Sequence, residues 1–331
     1  MIDSYALQVF NDGNIKKVLT NTLLDSETKF IWYHLFSPTT EDMFELSNTY
    51  DIHPLAIEDC LDDDQIPKME SYSQHLHLVF NAFYYIDKEI QSEGINLFIG
   101  EKYLITVTHS AELNKAIKNL YDKLSNKNND LWHIGPSWLM HLIIDRIIDG
   151  KMIALETIED ETDSIEDLLL TSKSGIDFAQ IQNLRYAFQL LRKNLFHERN
   201  ILNNIIRENN DFINQKSIYL YRDIYDHIIQ LYELTEACRE TVKNIVELHL
   251  AMANNQMAEA ADNTNKTIRR LTFITTVFMP LTLITGIGGM SEFTELTGSH
   301  NWPIAYGLLI FMFIVLGLLS YKWLESLDNK L

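Results

Sequence analysis

The acidic side chains give the clearest indication of a binding site in this sequence, because many of them are concentrated in two short segments. Five acids lie within the seven residues 58–64, and seven lie within the twelve residues 156–167. Dense groups of carboxylate oxygens attract hard divalent cations, which prefer oxygen ligands. The chain carries 46 acidic and 27 basic residues, a net charge of −19, which disfavours nucleic acid as a partner. We therefore expect a protein that handles divalent cations.

Other residues that bind metals in proteins give weaker signals here. Cys60 and Cys238 are the only cysteines and lack metal-site spacing, so we expect neither disulfides nor structural zinc. His75 and His77 would share one face of a predicted strand, and two such imidazoles are more often structural than ligating. The run 156–167 lies on a predicted helix and favours a solvated or cation-concentrating surface, with four acids on one face: Glu156, Glu159, Asp163 and Glu166.

Two long uncharged stretches, residues 271–291 and 296–321, fill the end of the chain. Each is long enough to cross the hydrocarbon core of a bilayer, which takes about 20 helical residues. Trp302, Tyr321 and Trp323 bracket the second stretch, as interfacial aromatic residues do. The sequence therefore predicts a multi-pass protein with the lipid bilayer as a partner, rather than a hairpin buried in a soluble core.

The basic residues beside these stretches predict the orientation. The connecting segment 292–301 has no Lys or Arg, and basic residues are retained on the cytoplasmic side of a membrane. We expect both termini to be cytoplasmic and the protein to lie in the inner (cell) membrane. The flanking residues are Lys266, Arg269, Arg270, Lys322 and Lys330.

The soluble part begins with mixed elements and continues as long helices. Alternating apolar residues predict strands at 76–82 and 103–109. Residues 176–279, a run of 104, contain neither Gly nor Pro, and we expect two long helices there, at 177–209 and from 216 through 279. So long a helix needs packing partners, which favours oligomerisation. Pro280 interrupts the first span, and the nearby Thr282 and Thr285 hydroxyls could satisfy the carbonyls that it frees.

The predicted fold class is an α+β cytosolic domain followed by long stalk helices and two C-terminal transmembrane helices. The predicted boundaries run in chain order: an N-terminal α/β domain at 1–135, acidic antiparallel helices at 136–215, a long stalk helix at 216–270, a pore-lining span at 271–290, an external acidic loop at 291–301, a second span at 302–323 and a cytoplasmic tail at 324–331.

Four segments together resemble the CorA family of divalent cation transporters. They read HPLAIEDC at 53–60, QIPKME at 65–70, YRDIYDHIIQLYELTEACRE at 221–240 and MPLTLITG at 279–286. With both spans in the same order, the resemblance covers essentially the whole chain. It implies a homopentameric funnel, no enzymatic activity and no organic cofactor. The sequence itself has no phosphate-binding loop and no catalytic set that its spacing would indicate.

The resemblance also implies which residues line a pore. Ile268 and Leu271 would form an apolar constriction, and Met279, Thr282 and Gly286 would follow along the pore. The family signature Gly-Met-Asn would lie at the pore entrance. Here the signature reads Gly289, Met290 and Ser291, followed by Glu292. Because the Ser291 hydroxyl reaches less far than an Asn amide, either the ring is wider or Glu292 supplies the cation contact.

Regulation and substrate follow from the same resemblance. Mg²⁺ bound between neighbouring subunits would hold the closed state, with Glu58, Asp59 and Asp223 as its ligands. The expected function is uptake of divalent cations, Mg²⁺ first, with Co²⁺ or Ni²⁺ as further substrates. Two alternatives remain open: a Zn²⁺ transporter, with or without proton coupling, and a membrane-anchored cation sensor that no longer conducts.

Overall fold

A seven-stranded mixed sheet forms the centre of the N-terminal part. The computed structural model describes residues 4–18, 26–62, 65–125, 135–171, 178–208, 210–289, 295, 298 and 302–328. The strands follow the order β2-β1-β3-β7-β6-β5-β4, and only β3 and β7 pair in parallel among the described strands. Their bounds are β1 Tyr5–Phe10, β2 Ile15–Val18, β3 Thr28–Phe36, β4 Lys68–Ser71, β5 Leu76–Ile86, β6 Glu89–Ile99 and β7 Tyr103–Thr108. The strands predicted at 76–82 and 103–109 are thus confirmed as β5 and β7.

Helices cover both faces of this sheet. Helix α1 (Thr40–Tyr50) and helix α2 (Pro54–Cys60) bury Met43, Tyr50 and Ile57 on the face that carries Tyr33 of β3. Helix α3 (Ala111–Ser125) lies on the opposite face, where its Tyr121 ring contacts Trp32. Successive side chains of β3 therefore enter different cores, as the twofold periodicity of a strand requires.

Four long helices follow the sheet in the described part of the chain. Helix α4 spans Pro136–Leu170, helix α5 spans Phe178–Arg207, helix α6 spans Ile218–Gly288 and helix α7 spans Trp302–Asp328. The two helices expected at 177–209 and from 216 onward are confirmed as α5 and α6. A 3₁₀ turn at Gln215–Ser217 precedes α6. The chain divides into two compact units, Met1–Leu248 and His249–Leu331.

Helix α6 continues past Pro280 as far as Gly288. The expectation that threonines satisfy the carbonyl freed by Pro280 is wrong. That carbonyl belongs to Thr276, four residues earlier, whereas Thr282 donates to the carbonyl of Phe278 at 2.8 Å. Thr285 donates to the carbonyls of Leu281 and Thr282 at 2.9 Å each. A threonine within a helix reaches carbonyls three or four residues before it, and residue 276 is six before Thr282.

A buried ion pair joins α4 and α5 beneath the sheet. The Lys151 ammonium donates to the Glu198 carboxylate, and both side chains are fully buried. The second Glu198 oxygen accepts from the backbone N–H of Asn81 on β5 at 3.2 Å. Burial lowers the pKa of Lys151 and raises the pKa of Glu198, and each charge opposes the shift of the other. Charges buried this deeply are tolerated in proteins only when paired and hydrogen-bonded.

Candidate functional site: carboxylates of the soluble unit and the exposed stripe of helix α6

Helix α2 positions Glu58 and Asp59. Pro54 occupies its first turn, where a missing N–H costs nothing, and the His53 side chain accepts from the backbone N–H of Leu55 at 3.2 Å. Glu58 is exposed, and Asp59 is half-buried at the end of the helix. A carboxylate at that end meets the negative pole of the helix dipole, so it needs a nearby cation.

Lys68 of β4 supplies that cation. Its ammonium lies 2.5 Å from Asp59 Oδ2 and 3.4 Å from Glu70 Oε1. Burial by itself lowers the pKa of Lys68, but the hydrogen bond to Asp59 and the charges of Glu70 and Asp59 outweigh it, and the net shift is upward. Lys68 is therefore a positively charged amine held between two carboxylates. A metal ion that binds Asp59 must compete with it.

Asp223 lies near the start of α6, where the helix is fixed against α4. The fully buried Tyr221 donates its hydroxyl to the carbonyl of Ser137 at 2.6 Å. Ser217 reaches the Ser137 hydroxyl at 3.1 Å. Asp223 itself is exposed two residues later. Its backbone is therefore well anchored while its carboxylate faces outward.

Two further acids on α4 share the electrostatic surroundings of Asp223. The pKa of Asp145 is raised first by burial, then by the charges of Asp149 and Asp223, against a lowering contribution from His227. Like charges that raise a carboxyl pKa repel one another, and a bound cation relieves that repulsion. Asp145 and Asp149 are not among the residues that the sequence predicted for this site. Their four-residue spacing, which places both acids on one face of a helix, was the available signal, but it is weaker than the dense acidic run 156–167.

The predicted regulatory ligands do not meet within one chain. In the described part of the chain, one group of three potential metal ligands lies within 4.8 Å, and it consists of Asp59, Glu70 and His77. Glu58 and Asp223 are not members of that group. The acidic run 156–167 lies on α4, as expected, and all seven of its acidic residues are half-buried or exposed. Its Glu161 is engaged by Tyr85 at 2.5 Å and by Lys88 at 3.4 Å.

The predicted pore residues form a stripe along α6, which we call the α6 stripe. At 100° per residue its five positions fall within an arc of about 80°. Ile268 is 54% exposed, Leu271 64% and Met279 68%, and the remaining two positions are exposed as well. Every member is uncharged. The five residues are Ile268, Leu271, Met279, Thr282 and Gly286.

The continuous described segment that contains the α6 stripe ends at Gly289, three residues after the stripe. The backbone N–H of Gly289 donates to the carbonyl of Thr285 at 3.0 Å. Met290, Ser291 and Glu292 lie outside the described residues. Two helical segments are long and apolar enough to cross a membrane, one within Gln215–Gly286 and the other at Pro303–Lys322, and the apolar windows of both are fully unburied in the single chain.

Comparison with known proteins identifies the family. The family described as "CorA-like Mg2+ transporter protein" matches residues 27–325, which is most of the chain. This chain belongs to the CorA-like family. The resemblance inferred from the four sequence segments is thereby confirmed, and with it the expectation of a transporter family rather than an enzyme. Members of the CorA-like family are integral to membranes, in agreement with the two apolar helices.

Individual relatives match this chain over nearly its whole length. The cobalt/magnesium transport protein CorA of Thermotoga maritima is 26% identical over 332 residues, covering 97% of this chain and 91% of that protein. The zinc transport protein ZntB of Yersinia pseudotuberculosis is 23% identical over 329 residues, covering 96% and 93%. The complete structure of the CorA magnesium transporter from Methanocaldococcus jannaschii superposes with a TM-score of 0.73 at 21% identity, covering 97% of both chains. The predicted CorA-like fold class is thus confirmed.

Proposed function

We propose that this protein is a channel-like transporter that admits divalent cations, Mg²⁺ first and Co²⁺ or Ni²⁺ after it, into the cell. The observation that carries the proposal is the family match over residues 27–325. The name of the Thermotoga relative, a cobalt/magnesium transport protein, supports the choice of ions. An inside-negative membrane potential would drive entry, since it contributes about 2.3 kcal/mol per charge per 100 mV and twice that for a divalent ion.

The α6 stripe would line the pore. Ile268 and Leu271 would close it by excluding water, because an apolar ring dewets a narrow pore. Beyond them, the Thr282 hydroxyl and backbone oxygens would accept hydrogen bonds from the water shell of the ion. Gly289, Met290, Ser291 and Glu292 would form the entrance, with Ser291 replacing the asparagine of the family signature.

The family resemblance implies that five copies of the chain enclose that pore. The large apolar side chains of α6 and α7 are exposed in the single chain, and lipid together with neighbouring subunits would cover them. We therefore assign a homopentamer embedded in the cell membrane. The basic residues Lys266, Arg269 and Arg270 before the first span support cytoplasmic termini.

Cytosolic Mg²⁺ would regulate opening between subunits. Asp59 with Glu58 on one subunit and Asp223 on the next would share the ion, and its loss would leave carboxylates that repel one another. Two carboxylates about 4 Å apart repel by about 1 kcal/mol in water and about 4 kcal/mol at an effective dielectric of 20. The ion competes with Lys68 for Asp59, so we expect this site to empty readily when cytosolic Mg²⁺ falls.

Zinc transport is the second candidate, and two observations favour it. The family asparagine is replaced by Ser291, and the chain also resembles a zinc transport protein along 96% of its length. A carboxylate ring at Glu292 would suit an ion that sheds part of its water, as Zn²⁺ does more readily than Mg²⁺.

Flux into proteoliposomes tests both candidates. We would reconstitute the pure full-length protein and record Mg²⁺ and Zn²⁺ entry separately, first at equal pH on both sides and then with a pH gradient. Mg²⁺ entry blocked by an inert hexaammine complex is the expected result. Zn²⁺ entry without Mg²⁺ entry would establish the second candidate, and a dependence on the pH gradient would indicate proton coupling. Absence of flux for either ion would contradict both and favour a cation sensor.

A further inference from the structure

Glu70 and His77 lie directly opposite each other across the β4–β5 pair. The register aligns Glu70 with His77, and Glu70 Oε2 lies 4.0 Å from His77 Nδ1. Asp59 reaches the same place from α2, so that one ligand atom from each of the three residues lies within 4.8 Å of the others. Two carboxylates and one imidazole thus converge within a single subunit.

The His77 ring is held so that one nitrogen is presented to the carboxylates. Nε2 lies 2.9 Å from the amide oxygen of Asn96, which can only accept, so Nε2 carries the proton. Nδ1 is then a bare lone pair. Within the described part of the chain this buried nitrogen has no hydrogen-bond partner. The ring stacks on Phe98 at a centroid distance of 4.5 Å and an interplanar angle of 8°, which fixes its orientation.

This arrangement matches the surroundings of metal-binding histidines. Such a histidine donates its second ring N–H to a carbonyl or carboxylate oxygen, which fixes the tautomer and directs the other nitrogen to the metal. Buried polar atoms without a partner are rare in folded proteins and call for an explanation. The His77 side chain is fully buried, so bulk water does not account for its bare nitrogen.

We propose that Asp59, Glu70 and His77 form a binding site within one subunit for a transition-metal dication of the Zn²⁺ type. Mixed imidazole and carboxylate ligands suit Zn²⁺, Co²⁺ and Ni²⁺, whereas Mg²⁺ prefers six oxygens. With metal–ligand bonds of about 2.1 Å, the ligand atoms around a tetrahedral Zn²⁺ lie about 3.4 Å apart. The ligand atoms, which lie within 4.8 Å of one another, must therefore close by up to about 1.4 Å, and rotation of the half-buried Asp59 and Glu70 side chains would supply that movement.

Lys68 would compete with a metal ion for the carboxylates of this site. Its ammonium lies against both carboxylates, and its side chain is 26% exposed, so it can leave toward solvent when a dication arrives. A metal bound here would also withdraw Asp59 from the regulatory site between subunits. That last consequence depends on the proposed function, whereas metal binding by itself does not.

Cobalt absorption tests the site in the full-length protein in detergent. We would titrate Co²⁺ in a large excess of Mg²⁺, which fills sites made of oxygen ligands, and follow the visible absorption of Co²⁺ bound to nitrogen and oxygen ligands. One Co²⁺ per subunit, displaced by Zn²⁺, is the expected result. His77→Phe and Glu70→Gln should each weaken binding more than roughly tenfold, because each removes a ligand. Lack of a Co²⁺ signal, or a signal unchanged in both variants, would overturn the proposal.

Two variants keep the test decisive if His77→Phe does not fold. Lys68→Met should tighten Co²⁺ binding roughly tenfold or more, because it removes a positive charge from the place of the metal. Glu89→Gln is the matched control: it makes the same change as Glu70→Gln on an exposed residue opposite Ile86, at the far end of β5. Binding that is no tighter in Lys68→Met would also overturn the proposal. Asp223→Asn should leave Co²⁺ binding intact, which separates this site from the regulatory one.

Discussion

The surroundings of Asp59 and the α6 stripe differ in charge: the first consists of ionised side chains, and the second has none. Around Asp59 two carboxylates enclose an ammonium at 2.5 and 3.4 Å, on a framework of strands and helices that is closely packed. Along the stripe, from Ile268 to Gly286, the five positions are apolar or carry only a hydroxyl. Stable binding of a cation requires ligands with full negative charge, whereas conduction requires ligands that bind the ion weakly enough to release it. The difference suits the regulatory site and the conduction path that we propose for this chain.

Placing a charge on the stripe should have the largest effect. In Met279→Lys a dication passing 4 Å from one ammonium would be repelled by about 8 kcal/mol at an effective dielectric of 20, so we expect Mg²⁺ flux to fall by more than about 100-fold. Proteoliposome flux measures this, with assembly checked by size-exclusion chromatography. Met279→Leu is the matched control and should conduct. A Met279→Lys protein that assembles and conducts normally would remove Met279 from the pore.

Low pH should lower the stability of the first unit, Met1–Leu248, through the buried His34. The α6 stripe contains no titratable residue that could act in this way. Burial lowers the pKa of His34 to about 4, against a raising hydrogen bond from Asn114. An unfolded histidine titrates near pH 6.5, so between about pH 6.5 and 4 the unfolded chain binds a proton that the folded chain does not. Stability therefore falls as the pH falls through that window, by about 3 kcal/mol in all.

His34→Gln isolates that contribution. The imidazole bonds Thr106 Oγ1 at 2.8 Å and Asn114 at 3.0 Å, and the titratable ring packed against it is that of Tyr5 at 4.7 Å. Tyrosine does not titrate between pH 4 and 7. Thermal unfolding of the full-length protein, followed by circular dichroism at several pH values, should show a shallower pH dependence in the variant. The same slope in both proteins would mean that other groups carry the acid sensitivity.

Neutralising Asp223 should have a moderate effect on the response to Mg²⁺. We expect Asp223→Asn to raise the Mg²⁺ concentration that half-protects the protein from protease about tenfold, equivalent to about 1.4 kcal/mol. Asp211→Asn, an exposed acid before α6, is the control. Unchanged half-protection in Asp223→Asn would remove this residue from the regulatory site.

Breaking an exposed ion pair should have the smallest effect. Arg192 of α5 pairs with Glu236 of α6, and Glu236 keeps Arg239 as a second partner at 2.8 Å. Pairs exposed to this degree contribute about 0.5 kcal/mol, so Arg192→Ala should barely change the free energy of unfolding. Urea unfolding of the variant at low and high salt measures this. A loss of more than about 2 kcal/mol in the free energy of unfolding would show that this exposed ion pair stabilises the protein far more than expected.

Much of the fold could be read from the sequence because its signals are local. The absence of Gly and Pro over residues 176–279 predicted both ends of α5 and the start of α6 to within a few residues, and alternation of apolar residues indicated β5. The end of α6 was not predicted, because the helix continues through Pro280 to Gly288. The contacts around Asp59 could not be read in the same way. Lys68 and His77 reach it only because β4 pairs with β5 in one register, and a shift of one residue would turn His77 to the other face.

The buried pair of Lys151 and Glu198 bears on the order in which the chain folds during synthesis. The two residues are 47 apart, so the ribosome completes α4 well before Glu198 emerges. Leaving one partner of a buried pair alone costs about 3–5 kcal/mol. We therefore expect α4 to remain loosely associated with the nascent sheet until α5 arrives. The soluble unit would then close in one late step, shortly before the first hydrophobic span is made.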